Sequence, residues 1–380
     1  MTYWKREKDF ITSVGELKQY MPLTQKDEIQ LRKVVLRHPM RISKFYLSLI
    51  DFSKKDDPLK KMVVPTAAEL DISGSYDTSD ESKHTKLSGL QHKYKQTALI
   101  LSTNRCASYC RFCFRKRLVG LDSTEIIKNF NHAVKYIQAH NEINNVLISG
   151  GDPLMLTTRV IKRFLELLSP IPHLEFIRFG TKVPVYYPKR LLENNALFDL
   201  LESYTHYKKQ IYFVTQIDHP REITPELREI VQRLLKAGVI INNQTVFMRG
   251  VNDDPDVLAA LMRKLVATGI NPYYLFQCRP VKRVKRHFQI PLVKGYPIVE
   301  KAKAQLDGHS KRFRFVMSHK KGKIEIIGIK EDEMFFKFHQ AKDERNAGRI
   351  FSHPLNPAAT WLDDLNNPKN ILWSTNDKRR

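Results

Sequence analysis

Between about residues 97 and 310, short apolar runs alternate with longer stretches whose apolar positions recur every three or four residues. The first rhythm suits buried strands, the second amphipathic helices. It predicts strands at Ala98–Ser102, Asn145–Ser149, Phe176–Gly180, Ile211–Gln216, Ile240–Val246 and Tyr273–Gln277. The helices predicted between them include Ser123–His140, Thr158–Leu168, Lys189–Leu201, Thr224–Ala237 and Asp254–Ala267. Thr224 before Pro225, and Asp254 before Pro255, have the form of N-caps with proline in the first turn. Six β-α units in succession imply a parallel sheet with right-handed crossovers. The expected fold class is α/β, a partial (β/α)6 barrel whose chemistry sits at the C-terminal strand ends.

The flanks follow other patterns. Residues 1–90 read as a helical segment closed by a loop. Ile42, Phe45, Tyr46, Leu49 and Ile50 share one helical face, as do Leu31, Val34 and Val35 ahead of Pro39. Residues 70–90 are rich in Ser, Asp and Gly and read as a surface loop. That leaves 91–310 as the barrel core. Beyond it, Phe313–Met317, Ile324–Ile327 and Met334–Phe338 alternate like hairpin strands. Residues 311–380 are therefore expected to form a small β appendage, ending in an irregular polar tail from about 354.

Composition narrows the class. At 42% hydrophobic and 10% aromatic the chain can bury a full core, which excludes overall disorder. Lys and Arg number 64 against 40 Asp and Glu, a net charge of +24. Such an excess favours acidic partners: nucleic acid, an acidic protein, or anionic substrates and cofactors. No run of about 18 apolar residues is present, so no membrane partner is expected. The first residues show no apolar signal region, and four cysteines make no disulfide framework, so a cytoplasmic location is expected.

Three of those cysteines fall in Cys106-Ala-Ser-Tyr-Cys110-Arg-Phe-Cys113, directly after the first barrel strand. Three thiolates in one tight loop suit a soft metal, either iron–sulfur or zinc. A structural zinc needs a fourth ligand, and no nearby Cys or His supplies one. Cys278 ends the last strand without a CxxC partner. A [4Fe–4S] cluster with one open iron is the better account. After the second strand comes Ser149-Gly150-Gly151-Asp152, where glycines permit close backbone approach and the carboxylate can accept from an ammonium. On the fifth strand, the amides Asn242, Asn243 and Gln244 are candidates to meet a nucleotide, although core hydrogen bonding explains them almost as well.

The CxxxCxxC spacing at this place in a β/α array resembles the radical S-adenosylmethionine superfamily. The likeness extends further. Pro65–Leu70 (PTAAEL), Gly89–Tyr94 (GLQHKY), Cys106–Gly120, Asn242–Asp253 and Asn271–Cys278 (NPYYLFQC) together resemble the lysine 2,3-aminomutase family over roughly residues 60 to 330. This implies an enzyme, an isomerase that moves an amino group from Cα to Cβ. Its implied cofactors are a [4Fe–4S] cluster, S-adenosyl-L-methionine and pyridoxal 5′-phosphate. The implied partners are a small amino-acid substrate and an electron donor such as flavodoxin or ferredoxin, in a homo-oligomer.

The resemblance implies roles residue by residue. Cys106, Cys110 and Cys113 match the cluster ligands, and Gly150, Gly151 and Asp152 the motif for the methionyl amine of the nucleotide. Arg115 matches the arginine on the substrate α-carboxylate, a task suited to a forked guanidinium. Its neighbours Arg111, Lys116 and Arg117 read as a solvated basic face. Lys93 and Tyr94 match the pair at the cofactor phosphate, with lysine here in place of arginine. Lys323, after Gly322, matches the lysine that carries pyridoxal phosphate; a basic hairpin tip in water is the bland alternative, with Lys320 and Lys321 as substitutes.

Two positions depart from the lysine enzymes. Where two aspartates hold the distal amine, this chain has Arg279 and, with a looser alignment, Ser318. The glutamate 2,3-aminomutases change the same positions in a basic and a neutral direction. The expectation is therefore an acidic or neutral amino acid such as glutamate. One alternative is free lysine, or a lysine within an acidic translation factor. Another is an iron–sulfur protein gripping nucleic acid, but the sequence has no recognised RNA- or DNA-binding motif, so nucleic acid is not the expected partner.

Overall fold

In the computed structural model, which describes residues 7–205 and 208–365, twelve strands form one open sheet. They are β1 (Thr85–Leu87), β2 (Leu90–Tyr94), β3 (Thr97–Thr103), β4 (Asn145–Gly150), β5 (Phe176–Thr181) and β6 (Gln210–Thr215). Then come β7 (Ile240–Phe247), β8 (Asn271–Gln277), β9 (Arg314–His319), β10 (Gly322–Lys330), β11 (Glu333–Ala341) and β12 (Ile350–Pro354). Neighbours in sequence are neighbours in space throughout. Strands β3 to β9 pair in parallel, and the pairs at both ends are antiparallel. The sheet is the expected partial barrel, left open.

All six expected strands are present, with ends shifted by at most two residues. Thr224 and Asp254 do cap their helices, accepting from Leu227 N and from Asp256 N and Val257 N. Other elements differ. Helix 123–140 is confined to Phe130–Gln138, because Asn129 caps it and the residues before it belong to the cysteine loop's return. Helix 189–201 is two pieces, Lys189–Leu192 and Asn195–Thr205. The face expected over residues 42–50 is only partly helical. Ile42–Ser43 is extended and pairs with Phe10–Ile11, and Ser43 then caps the short helix Lys44–Ser48.

Phe313–Met317 does open the expected hairpin, since its strand pairs antiparallel with β10 across the Lys320–Lys321 turn, but the strand is also part of the barrel sheet. It lies in β9, the seventh parallel strand, reached from β8 through the helix Leu292–Ala304. Gly295 and Pro297 hide that helix from a propensity reading. Gly295 is there because Phe247 packs against it, 2.9 Å from where a Cβ would sit. Within residues 70–90, Glu81–His84 is a helical turn and Thr85–Leu87 is β1. The tail from 354 is anchored by buried Ala359, Trp361, Leu362 and Leu365, with Trp361 1% exposed; residues 366–380 lie outside the described residues.

Burial alternates along the barrel strands, as a two-faced sheet requires. In β5, Ile177 and Phe179 are buried among the outer helices, while Phe176, Arg178 and Gly180 face the lumen. In β7, Ile241, Asn243, Thr245 and Phe247 are buried, while Asn242, Gln244 and Val246 face inward. Among the described residues no helix is long and apolar enough to cross a membrane.

Candidate active site

The lumen holds a cavity of about 630 Å³. Of the residues singled out from the sequence, Lys93, Tyr94, the three loop cysteines, Arg115, Gly150–Asp152, Asn242, Gln244, Arg279, Ser318 and Lys323 line it. Lys320 and Lys321 do not. Lys320 pairs with Asp363 at 3.2 Å, and Lys321 is exposed.

The cysteine loop leaves the C-terminal end of β3 and is pinned from beneath. Arg111 is not on a solvated face. Its Nε and Nη2 donate to the two oxygens of Glu69 at 2.8 and 2.7 Å, and Lys116 Nζ donates to the same carboxylate at 2.6 Å. All three are buried. Burial alone would raise the Glu69 carboxyl, but the two cations hold it down at about 2. Arg111 and Lys116 therefore do not lie on the solvated face expected of them, and their charges lock the loop to the segment that carries Glu69; Arg117, half-buried, pairs with Glu81 and Glu125. Backbone bonds from Tyr109 N to Arg41 O and from Arg111 N to Met62 O, both 2.8 Å, complete the anchorage.

Cys106, Cys110 and Cys113 turn to the cavity, and Cys110 Sγ lies 3.1 Å from the Tyr186 hydroxyl. Among the described residues no three His, Cys, Asp or Glu converge on a point where one ion would sit. A cubane cluster takes one thiolate per iron, so its ligands need no such convergence. Donor set and position fit a [4Fe–4S] cluster.

Gly150 and Gly151 bring backbone to backbone. Gly150 has φ +115°, and a Cβ on Gly151 would stand 2.4 Å from Arg105 O. Gly151 N donates to Thr103 O at 2.5 Å and Asp152 N to Arg105 O at 2.8 Å, so β4 is stitched to the start of the cysteine loop. The Asp152 side chain is engaged elsewhere. Its oxygens accept from Leu154 N (3.0 Å), Thr181 Oγ1 (2.7 Å), Lys182 N (2.6 Å) and Val183 N (3.0 Å). A carboxylate has about four acceptor sites, and all are taken. Asp152 ties β4 to β5 and has no capacity left for an ammonium. Asn243 is likewise structural, bonded to Ile217, Thr215 and Thr245, whereas Gln244 faces the cavity.

Arg115 is buried and donates from Nη1 to Ser149 Oγ at 3.1 Å and to Gly150 O at 3.4 Å; its Nε has no hydrogen-bond partner. Arg279 donates from Nη2 to Ser318 Oγ at 2.8 Å and from Nη1 to Ser79 Oγ. The two positions aligned from sequence as substrate-reading are thus in direct contact. Both guanidiniums lie over one ring, 4.5 and 4.3 Å from the centre of Phe114. Glu81, which sequence reasoning missed, lines the same cavity. It pairs with Arg117 at 2.6 Å and stands 3.9 Å from Arg115 Nε. Burial raises its carboxyl, yet Arg115, Arg279 and Arg117 more than offset this and hold it below the usual range.

Lys323 enters from the first turn of β10, where Gly322 has φ +146° and a Cβ would strike Gln340 O. Its Nζ donates to Gln340 Oε1 at 2.9 Å and lies 5.3 and 5.1 Å from the ring centres of Tyr94 and Tyr274. Burial, with Arg178, Lys93 and Arg279 adding to it, lowers its pKa to about 7. A lysine that carries pyridoxal phosphate needs such an amine. Lys93 donates to Ser79 O and His319 O at 3.3 and 2.7 Å, which leaves it one free N–H of three. Arg178 was also missed, although a charged residue amid an apolar parallel strand is a sequence signal for a lumen position.

Comparison with known proteins agrees with this arrangement. The profile of the radical SAM superfamily matches residues 100–262. A protein of Aquifex aeolicus, provisionally named L-lysine 2,3-aminomutase, is 40% identical over 92% of this chain and 93% of its own length. The L-lysine 2,3-aminomutase of Clostridium subterminale is 35% identical over 79% of this chain and 71% of its own. The glutamate 2,3-aminomutase of Clostridioides difficile is 34% identical over 78% and 69%. This chain belongs to the lysine 2,3-aminomutase family of the radical S-adenosylmethionine superfamily, isomerases whose cofactors are a [4Fe–4S] cluster, S-adenosylmethionine and pyridoxal phosphate.

Proposed function

We propose that the protein is a 2,3-aminomutase of a free amino acid with a carboxylate side chain, glutamate before others. Identity does not choose, since the lysine and glutamate enzymes are about equally similar. The observation that carries the reading is the pair Arg279–Ser318, bonded at 2.8 Å across the cavity wall. A guanidinium there forks onto a side-chain carboxylate. It would instead leave a lysine's distal ammonium unpaired beside a like charge, at a cost of several kcal/mol in a buried site. Arg115 and Arg279, both close to the Phe114 ring, suit two carboxylates of one small molecule.

The bound cofactors supply the radical chemistry of the amino shift. The chain's own residues orient it. Cys106, Cys110 and Cys113 hold the cluster, Gln244 meets a cofactor from β7, Lys323 carries pyridoxal phosphate, Tyr94 flanks that cofactor, and Arg115 fixes the α-carboxylate. Anaerobic turnover of the reconstituted enzyme tests the substrate. Glutamate should exceed lysine at least about a hundredfold in kcat/KM, roughly 2.7 kcal/mol, and Arg279→Asp should narrow the gap. Equal or greater turnover of free lysine would overturn the substrate and leave the family chemistry standing. Inactivity on every free amino acid would favour a lysine within an acidic translation factor.

A further inference from the structure

Several cations inside this protein are paired with acids, whereas Arg178, Arg279 and Lys323 on the cavity wall bond to neutral groups. Arg111 and Lys116 share Glu69, and Lys182 meets Asp218 and Glu222 at 2.8 and 3.0 Å. Arg178, at the middle of β5, forms no ion pair among the described residues. Its Nη2 donates to a neutral partner, Asn145 Oδ1 on β4, at 2.5 Å, and its Nε is buried without any partner. Asn145 Oδ1 also accepts from Thr97 Oγ1 at 3.2 Å, so this amide is fixed beneath the guanidinium. Arg178, Asn145 and Thr97 all line the cavity that Lys323 enters.

A guanidinium in such a place costs free energy unless an anion joins it. The neighbouring groups make the need greater, because Lys323 and Lys93 are basic groups of the same lumen and, among the described residues, no carboxylate forms an ion pair with Lys323. We propose that Arg178, supported by Asn145 and Thr97, is the anion subsite that receives the phosphate of the cofactor bound at Lys323. The inference rests on the assignment of pyridoxal phosphate to Lys323. On that cofactor the aldehyde and the phosphate-bearing arm stand on adjacent ring carbons, so the phosphate lies a few ångströms from the lysine and needs its own cationic holder. Lys93 is the weaker holder: two of its N–H groups already serve the carbonyls of Ser79 and His319. Arg178 brings an unpartnered Nε, and a forked guanidinium matches a phosphate.

The test is cofactor binding, read without turnover. Apo-protein is titrated with pyridoxal phosphate and, separately, with pyridoxal, following the visible absorbance of the lysine adduct. Wild type should prefer the phosphorylated form. Arg178→Gln should reduce that preference at least tenfold, which is about 1.4 kcal/mol, while pyridoxal binds within about twofold of wild type. Inorganic phosphate should compete with pyridoxal phosphate in wild type and much less in the variant. Arg178→Lys keeps the charge and loses the fork, so the preference should fall severalfold; this variant decides the matter if Arg178→Gln does not fold. An unchanged preference in the Arg178 variants would overturn the subsite, as would its collapse in Lys93→Gln alone. If wild type bound neither compound on Lys323, the assignment of that lysine would fail, and the subsite with it.

Discussion

At the amine of Lys323, burial and three cationic side chains act in the same direction, and the pKa near 7 has a kinetic consequence. Only the neutral amine attacks an aldehyde, and it predominates above the pKa. Capture of pyridoxal phosphate by apo-protein should therefore accelerate as pH rises through about 7 and level off by about pH 8.5. An unperturbed lysine would keep accelerating towards about 10.4. Borohydride reduction and peptide mapping should place the label on Lys323; a label on Lys320 or Lys321 would sink the assignment. The cysteines allow an equally direct measurement. Reconstituted protein should hold about four irons and four sulfides per chain. Cys106→Ala, Cys110→Ala and Cys113→Ala should each lose them, while Cys278→Ala, on the cavity wall outside the loop, should keep them.

Between the elements, the cysteine loop depends on a partner distant in sequence. Glu69 belongs to the short helical turn Ala67–Leu70 and neutralises two cations of the loop, Arg111 and Lys116. Glu69→Gln would leave two buried positive charges on one neutral amide. We expect this to destabilise the protein by about 3–5 kcal/mol, measured by chemical denaturation of the apo-protein, and to lower iron content on reconstitution. Little or no change in stability would show that the loop is held by its backbone bonds alone. The segment 71–84 acts at the same scale. Its Ser75 exchanges backbone hydrogen bonds with Pro280 and Lys282, and its Ser79 and Glu81 reach the cavity arginines. A stretch whose composition reads as surface loop thereby becomes one wall of the site.

Over the whole molecule the charge of +24 should act on encounter with an acidic reductant more than on the chemistry. With flavodoxin or ferredoxin as donor, the rate of cluster reduction should fall steeply between roughly 0.05 and 0.3 M salt, as screening shortens the reach of the field. Reduction by dithionite, a small ion, should change far less over that range. Equal salt dependence with both donors would remove any role for the basic surface in docking.

The sequence by itself determined the strand and helix rhythm of the barrel, because alternation and the 3.6-residue period are local and repeat six times. It also made the cysteine loop and the glycine pair legible, because their residues lie close together in the chain, whereas Lys323 stood out only through the resemblance to a family and its place on the cavity wall came from the fold. Only the tertiary structure decided how charges are shared. Asp152 was legible as a carboxylate but not as one saturated by four donors from the end of β5, the residues just after it and the turn that follows β4. Arg111 and Lys116 were legible as basic residues but not as buried ones, since Glu69 lies some forty residues away. The contact of Arg279 with Ser318, the approach of Glu81 and the unpaired Arg178 all arise where the sheet curls and brings remote strands around one lumen. Local pattern carries no information about which charges meet across that space, and the cost of burying them decides what each is there to bind.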